Sequence, residues 1–262
     1  MPEALLRGIA ANPGKMIEAA ACHPVKISHE SLVVEAELKV GGRLVPVAVK
    51  QYRPRMFWKA VAALFRPARA MQNWQKAEFL LSRDIATPRP QLACRPRGWA
   101  SRNTSFLATE WIGNAENLHV FGWRIAARPL AARLRIAARC ADALGRLLGR
   151  MHAAGTAHRD LKAANLLVVE QNGDAAVYLV DLDGLQTGKR VDFQRRARDL
   201  ARLAAMLVAH PWITRSICRR FLRAYLRQAS DDQMNWKRLW RAIAEITTAY
   251  VRRKQKRGER VL

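Results

Sequence analysis

The sequence predicts an α+β fold in two lobes, a small antiparallel sheet with one helix followed by a mainly helical lobe. Three observations carry this. Leu32 to Leu38 and Arg43 to Tyr52 are apolar-rich runs on either side of Val40-Gly41-Gly42, and a Gly-Gly pair supplies the positive φ of a tight hairpin turn. Leu130, Leu134, Ala138, Ala141, Leu144, Leu148 and Met151 recur at steps of three and four, which marks one face of a long helix ending near Gly155. Leu166 to Val169 and Ala176 to Val180 flank Asn172-Gly173-Asp174, a second hairpin signal, now inside the helical half.

The other elements follow the same rules. Ala70 to Arg83 reads as the helix of the first lobe, and it stops before Thr87-Pro88-Arg89-Pro90, where proline removes amide donors. Phe106 to Ile112 reads as a further strand, and Asp199 to Val208, Ile217 to Gln228 and Trp236 to Val251 as further helices. No internal repeat, low-complexity stretch or Gly/Ser linker interrupts the chain, so the lobes are joined by at most a hinge. Residues 1–112 are assigned to the first lobe, with an N-terminal helix, and 113–262 to the second, with a basic C-terminal tail.

Bulk composition narrows the function. With 50% hydrophobic residues in 262, the chain can bury a real core. Cys22, Cys94, Cys140 and Cys218 are far apart and form no C-x-x-C pair, which argues against a zinc site or a disulfide framework and for a reducing compartment. Glu3, Arg7, Lys15 and Glu18 break up any signal-peptide core, and no apolar run approaches the ~20 residues of a bilayer span. The expectation is a protein neither exported nor integral. Lys and Arg number 46 against 21 Asp and Glu, a net charge of +25, far beyond what solubility needs. An anionic partner is expected, either nucleic acid or a negatively charged membrane face.

The chemistry lies in the loop after the long helix, His158-Arg159-Asp160-Leu161-Lys162-Ala163-Ala164-Asn165. It resembles the protein-kinase catalytic loop H-R-D-L-K-x-x-N at every specified position. A charged surface turn would be the plain alternative, but six specified residues in order between a long helix and a hairpin weigh against it. Asp160 stands where the base that orients and deprotonates the attacking hydroxyl belongs, Lys162 can neutralise the moving phosphoryl group, and Asn165 can offer an amide oxygen to magnesium. The two-lobed fold is accordingly protein-kinase-like, with ATP and Mg2+ as the implied cofactors.

A second magnesium carboxylate should follow the hairpin. Asp181 does, in Tyr178-Leu179-Val180-Asp181-Leu182-Asp183-Gly184, which resembles the kinase D-F-G segment with Leu182 for Phe and Asp183 for Gly. The apolar run ends directly before Asp181, which favours it; Asp183-Gly184 is the other register, and Asp183 is either a second metal contact or a solvated turn residue. Val47-Ala48-Val49-Lys50 resembles the kinase V-A-I-K strand, with alternation placing Ala48 and Lys50 on one face. Glu78, the sole acid between Lys50 and Arg83, is the expected ion-pair partner of Lys50, an ordinary surface glutamate being the alternative. Phe106 to Gly113 resembles the kinase hinge, where the backbone of Glu110 and Ile112 would meet adenine. No G-x-G-x-x-G precedes Lys50; Ser28 and Ser31, in the turn where such a loop would lie, are the candidate phosphate donors. Asp199 resembles the buried helix aspartate that braces the catalytic loop.

Taken with the Ile85-Ala86-Thr87-Pro88-Arg89-Pro90 turn and Thr109-Glu110-Trp111-Ile112, these residues resemble the lipopolysaccharide core kinases, the bacterial Kdo and heptose kinases, over roughly residues 25 to 225. The resemblance implies transfer of the ATP γ-phosphate to a sugar of the lipid A core, with an anionic lipopolysaccharide precursor and the inner face of the inner membrane as partners. The charge agrees, since each Lys or Arg near an anionic surface contributes about 1 kcal/mol. The Arg53 to Arg69 segment, where basic residues alternate with Met56, Phe57, Trp58, Leu64 and Phe65, is the candidate docking stretch, a helix packed on the small lobe being the alternative. A protein serine/threonine kinase is the second enzyme reading, disfavoured by the short interval from Asp181 to Asp199 without an A-P-E motif. A non-catalytic kinase-like scaffold would have lost the base or a metal ligand, and no nucleic-acid-binding module is present, so no nucleic-acid partner is expected.

Overall fold

A computed structural model describes residues 24–27, 31–40, 43–52, 67–95, 104–188, 190–229 and 235–258. The expected N-terminal helix, Ser28, the Gly41-Gly42 turn, residues 53–66 of the basic docking stretch and the last four residues lie outside them. The chain divides into two compact units, one formed by the described residues up to Phe79 together with Pro88–Ile112, the other by Leu80–Thr87 and Gly113–Leu262. Leu80–Thr87, which sequence placed with the first lobe, thus belongs to the second unit.

The first unit is a five-stranded antiparallel sheet with one helix. Its strands are β1 (Pro24–Ile27), β2 (Ser31–Val40), β3 (Arg43–Tyr52), β4 (Pro90–Cys94) and β5 (Ser105–Glu110), in the order β1-β2-β3-β5-β4. The β2–β3 hairpin has the register Val33↔Lys50 and Val40↔Arg43. Val34, Ala36, Leu38, Val47, Val49, Phe106 and Ala108 fill one face. On the other, Tyr52 and Leu107 pack with Ala70 of helix α1 (Arg69–Leu81), and Asn73 Nδ2 donates to the Tyr52 hydroxyl at 2.8 Å. Pro90 opens an edge strand, a position where its missing N–H costs no ladder bond. β1 and β4 were not legible as strands, being short and edge-bound.

The second unit is built on α3 (Leu130–Ala153), reached through β6 (Glu116–Asn117) and α2 (Leu118–Ala126). Helix α2 has Val120, Gly122 and Ile125, a weak helix sequence. Asn117 caps it by accepting from the His119 and Val120 N–H groups, and a Cβ on Gly122 would lie 2.8 Å from the His210 ring, so tertiary packing rather than propensity sets this helix. After α3 come β7 (Ala157–His158), β8 (Leu166–Gln171), β9 (Asp174–Leu179) and β10 (Leu185–Gln186), with β6-β8-β9 in one small sheet and β7-β10 in another. Then follow α4 (Phe193–Ala204), α5 (Arg215–Gln228) and α6 (Trp236–Lys256). α4 starts six residues earlier than the apolar spacing suggests because Asp192 caps it, accepting from the Arg195 N–H at 2.7 Å.

Helices α3 and α5 meet at unusually short range. A Cβ on Gly145 would lie 2.5 Å from the Phe221 carbonyl oxygen, and one on Gly149 the same distance from that of Tyr225. Two glycines four apart on α3 therefore let the backbones touch, and this contact fixes how the side chains flanking it are arrayed.

Candidate active site

The loop after α3 is held by hydrogen bonds that converge on His158. Its backbone N–H donates to Asp199 Oδ2 at 2.8 Å; Asp199 is 2% exposed on α4, with Arg195 Nε paired to its Oδ1 at 3.1 Å. The His158 ring is fully buried. Its Nδ1 accepts the Asp160 N–H at 3.2 Å, which leaves Nε2 to donate to the Asp181 carbonyl at 3.1 Å. One acceptor and one donor nitrogen assign the neutral ring. Burial holds its pKa below the usual range, outweighing the Asp181 carbonyl and the carboxylates of Asp181, Asp160 and Asp199. One neutral imidazole therefore joins the backbone of Asp160 to that of Asp181. Gly184 completes the seat: its carbonyl accepts the Arg159 N–H at 3.0 Å, and a Cβ there would stand 3.0 Å from the ring.

Asn165 ties the same two segments a second time. Its Nδ2 donates to the Asp160 carbonyl at 2.8 Å, and its own carbonyl accepts the Val180 N–H at 2.9 Å. Asn165 is buried, and its Oδ1 has no hydrogen-bond partner among the described residues. That amide oxygen is an acceptor with an unmet demand, on a residue whose backbone carbonyl holds the Val180 N–H directly before Asp181. Asp181 itself adopts the left-handed conformation, φ 61 and ψ 61. The strand leading to it is pinned from Leu80–Thr87: Thr87 Oγ1 donates to the Leu179 carbonyl at 2.7 Å, and the Leu179 N–H to the Ala86 carbonyl at 2.9 Å. The Ile85-Ala86-Thr87 turn is thus a brace for Asp181.

The Asp160 carboxylate is half exposed and lies 2.9 Å from the Lys162 ammonium. Partial burial pushes its pKa up, but Lys162 above all, with Arg202, outweighs that and holds it below the ordinary carboxylate range. It is ionised at neutral pH. Asp183 stands in the short 3-10 turn Leu182–Gly184, directly after Asp181 and Leu182. Among the described residues, no group of three or more His, Cys, Asp or Glu side chains is placed to hold a metal ion.

The first unit presents its candidates separately. Val47 and Val49 are buried in the sheet core, and Ala48, Lys50 and Tyr52 alternate onto the other face, with Lys50 Nζ 5.0 Å from the Tyr52 ring centroid. Glu78, the expected partner of Lys50, lies on the exposed face of α1. Ala70, Asn73, Ala77 and Leu80 form the buried stripe of α1, and Glu78, one residue past Ala77, is turned about 100° away and exposed. The Glu110 N–H donates to the Arg89 carbonyl at 2.8 Å and the Trp111 N–H to that of Pro46 at 3.2 Å, with Ile112 just past the end of β5. Ser31 opens β2.

The profile of the lipopolysaccharide kinase (Kdo/WaaP) family matches residues 44–225, more than half of the chain. The chain belongs to that family. It is 32% identical over 166 residues to the lipopolysaccharide core heptose(I) kinase WaaP of Pseudomonas aeruginosa, an alignment spanning 61% of this chain and 60% of that relative. It is also similar to a solved structure titled WaaP in complex with acyl carrier protein, with TM-score 0.63, 25% identity and coverage of 93% of this chain and 92% of that one. The two-lobed kinase-like α+β architecture is the family's.

Two features of this family member escaped the sequence reading. A buried network, in which His152 Nδ1 meets the Tyr225 hydroxyl at 2.8 Å, its Nε2 stands 3.6 Å from Asp199 Oδ2 and Arg196 donates to the Ala229 carbonyl, backs Asp199 through partners far apart in sequence. An apolar cavity of about 450 Å³ also opens among α2 to α6, lined by Phe121, Ile125, Leu144, Leu203, Leu222 and Ile243. Nothing local in sequence signals either one.

Proposed function

We propose that this protein transfers the γ-phosphoryl group of ATP to a hydroxyl of a Kdo or heptose sugar in the lipopolysaccharide core, at the cytoplasmic face of the inner membrane. The observation that supports it most is the double tie, through His158 and Asn165, of the Asp160 loop to the Asp181 segment. Asp160, ionised and half exposed, orients the sugar hydroxyl and takes its proton as the oxygen bonds to phosphorus and the bond to the β-phosphate breaks, releasing ADP. Its lowered pKa makes it a weak base, which suits a transfer in which the hydroxyl proton leaves late. Lys162 shares the carboxylate and counters charge on the phosphoryl oxygens.

Asn165 Oδ1 and Asp181 are the proposed magnesium ligands, with Asp183 the further candidate. An amide oxygen and one or two carboxylates suit this ion, which takes its remaining ligands from water and phosphate. Bound magnesium would neutralise charge on the nucleotide's terminal phosphates. Lys50, Ala48 and the backbone of Glu110 and Ile112 are the proposed nucleotide contacts of the first unit, with Ser28 and Ser31 toward the phosphates. Glu78 keeps a place only as a surface residue.

The acyl carrier protein named with the solved relative suggests a partner for this chain as well. The apolar cavity has the character to bury one acyl chain, so co-elution with the acylated but not the unacylated carrier is expected. The function is tested by mass spectrometry of lipopolysaccharide core from cells with and without the gene, and by phosphate transfer from labelled ATP to the dephosphorylated core. Loss of one core phosphate is expected; an unchanged core and no transfer would reject the proposal.

A further inference from the structure

We propose that the groove between α3 and α5 is a docking site for the phosphate headgroups of an anionic lipid bilayer. This rests on the proposed membrane-linked acceptor only for its purpose; the binding itself is separable. The groove is open, about 1310 Å³, and is lined by Arg146 of α3 and by Arg219, Arg220, Arg223 and Arg227 of α5, with Asp142 the one acid among its described lining residues. Asp142 is taken by Arg220. Arg146, Arg219, Arg223 and Arg227 are exposed and have no carboxylate partner among the described residues. Four exposed guanidinium groups without a carboxylate partner among the described residues make the groove a strongly positive surface, to which an anion is drawn.

The arrangement follows from the glycine contact. Because Gly145 and Gly149 let the helices touch, arginines of both line one trough instead of two separate helix faces. Positions 219, 223 and 227 are one turn apart on α5, so their side chains form a row. Arginine rather than lysine at every basic position favours an oxyanion that accepts two parallel hydrogen bonds, which phosphate and carboxylate both do. Trp236 discriminates between them. It lies on the groove wall, 43% exposed, with Arg219 5.7 Å from its ring centroid. An exposed indole beside cations gains at the headgroup level of a bilayer, where its ring and its N–H are both accommodated.

The test is co-sedimentation of the full chain with phosphatidylcholine vesicles with or without phosphatidylglycerol, at physiological salt. Binding is expected only with the anionic lipid. R219E/R223E/R227E should weaken it about a hundredfold or more, since three attractive charges of about 1 kcal/mol each are reversed. R252E/R253E/K256E, the same charge change on the exposed end of α6, should weaken it by less than about threefold, because charges beyond about 8 Å are screened. Phosphate transfer to a detergent-dispersed acceptor should be unchanged in both, which keeps a failure of docking distinct from a failure of the kinase proposal. Equal losses in the two variants would overturn the groove assignment. So would retention on poly-glutamate without sedimentation on anionic vesicles, which would give the groove to an acidic protein.

Discussion

The 158–165 loop and helix α1 each carry a residue singled out from sequence, Asp160 and Glu78, and the two sit in different surroundings. Around Asp160 nearly every patterned residue has a bonding duty within the loop and its neighbour: the His158 ring, the Asn165 amide and the Gly184 carbonyl all hold backbone in place. Glu78 has only helix phase to direct it, and the phase of Ala70, Asn73, Ala77 and Leu80 turns it to solvent. A spacing that encodes a set of hydrogen bonds is readable, whereas one that needs a helix to face the right way is not.

The sharpest way to break that contrast is to remove both carboxylates. Asp160→Ala is expected to cut phosphate transfer by about a thousandfold or more with the melting temperature held, and Glu78→Ala by less than about threefold. A large loss in the Glu78 variant, measured as kcat at saturating ATP, would show that α1 is recruited after all. Next in size, Asp181→Asn should demand far more magnesium for half-maximal activity than Asp183→Asn; the reverse order in a magnesium titration would move the metal ligand two residues on.

Stability separates the regions again. Gly149→Val should destabilise the second unit by about 2–3 kcal/mol, because its side chain would be driven into the Tyr225 carbonyl and Gln228. Calorimetry should show the loss; an unchanged transition would mean that the helices part easily. The smallest effect expected is a pH shift. Lys162 helps hold the Asp160 carboxyl low, so Lys162→Met should move the acid limb of the kcat profile to higher pH. A limb that stays put would locate the titrating group elsewhere. Buried neutral His152 and His158 act on folding in the same direction: the unfolded chain binds protons more readily, so stability falls as pH drops below about 6.5.

The two-lobe order, the β2–β3 and β8–β9 hairpins and the length of α3 were legible because each is written in a local period or turn. The hydrogen-bonding residues of the 158–165 loop were legible for the reason given above. What stayed hidden depends on distant partners. Asn117 caps a helix of poor propensity whose Gly122 makes room for His210, and Tyr225 reaches His152 across 73 positions. The function of Thr87 was half visible: the turn stood out as a motif, but that its hydroxyl grips the Leu179 carbonyl is a tertiary fact.

The left-handed backbone at Asp181 sets an upper limit on how this protein can be improved. Glycine is the residue that rests in such a conformation without steric cost, yet it carries no oxygen for a cation. With Asp181 the proposed cation ligand, a search for thermal tolerance alone would drift toward glycine at this position and remove that ligand, so selection for heat resistance here has to be coupled to turnover.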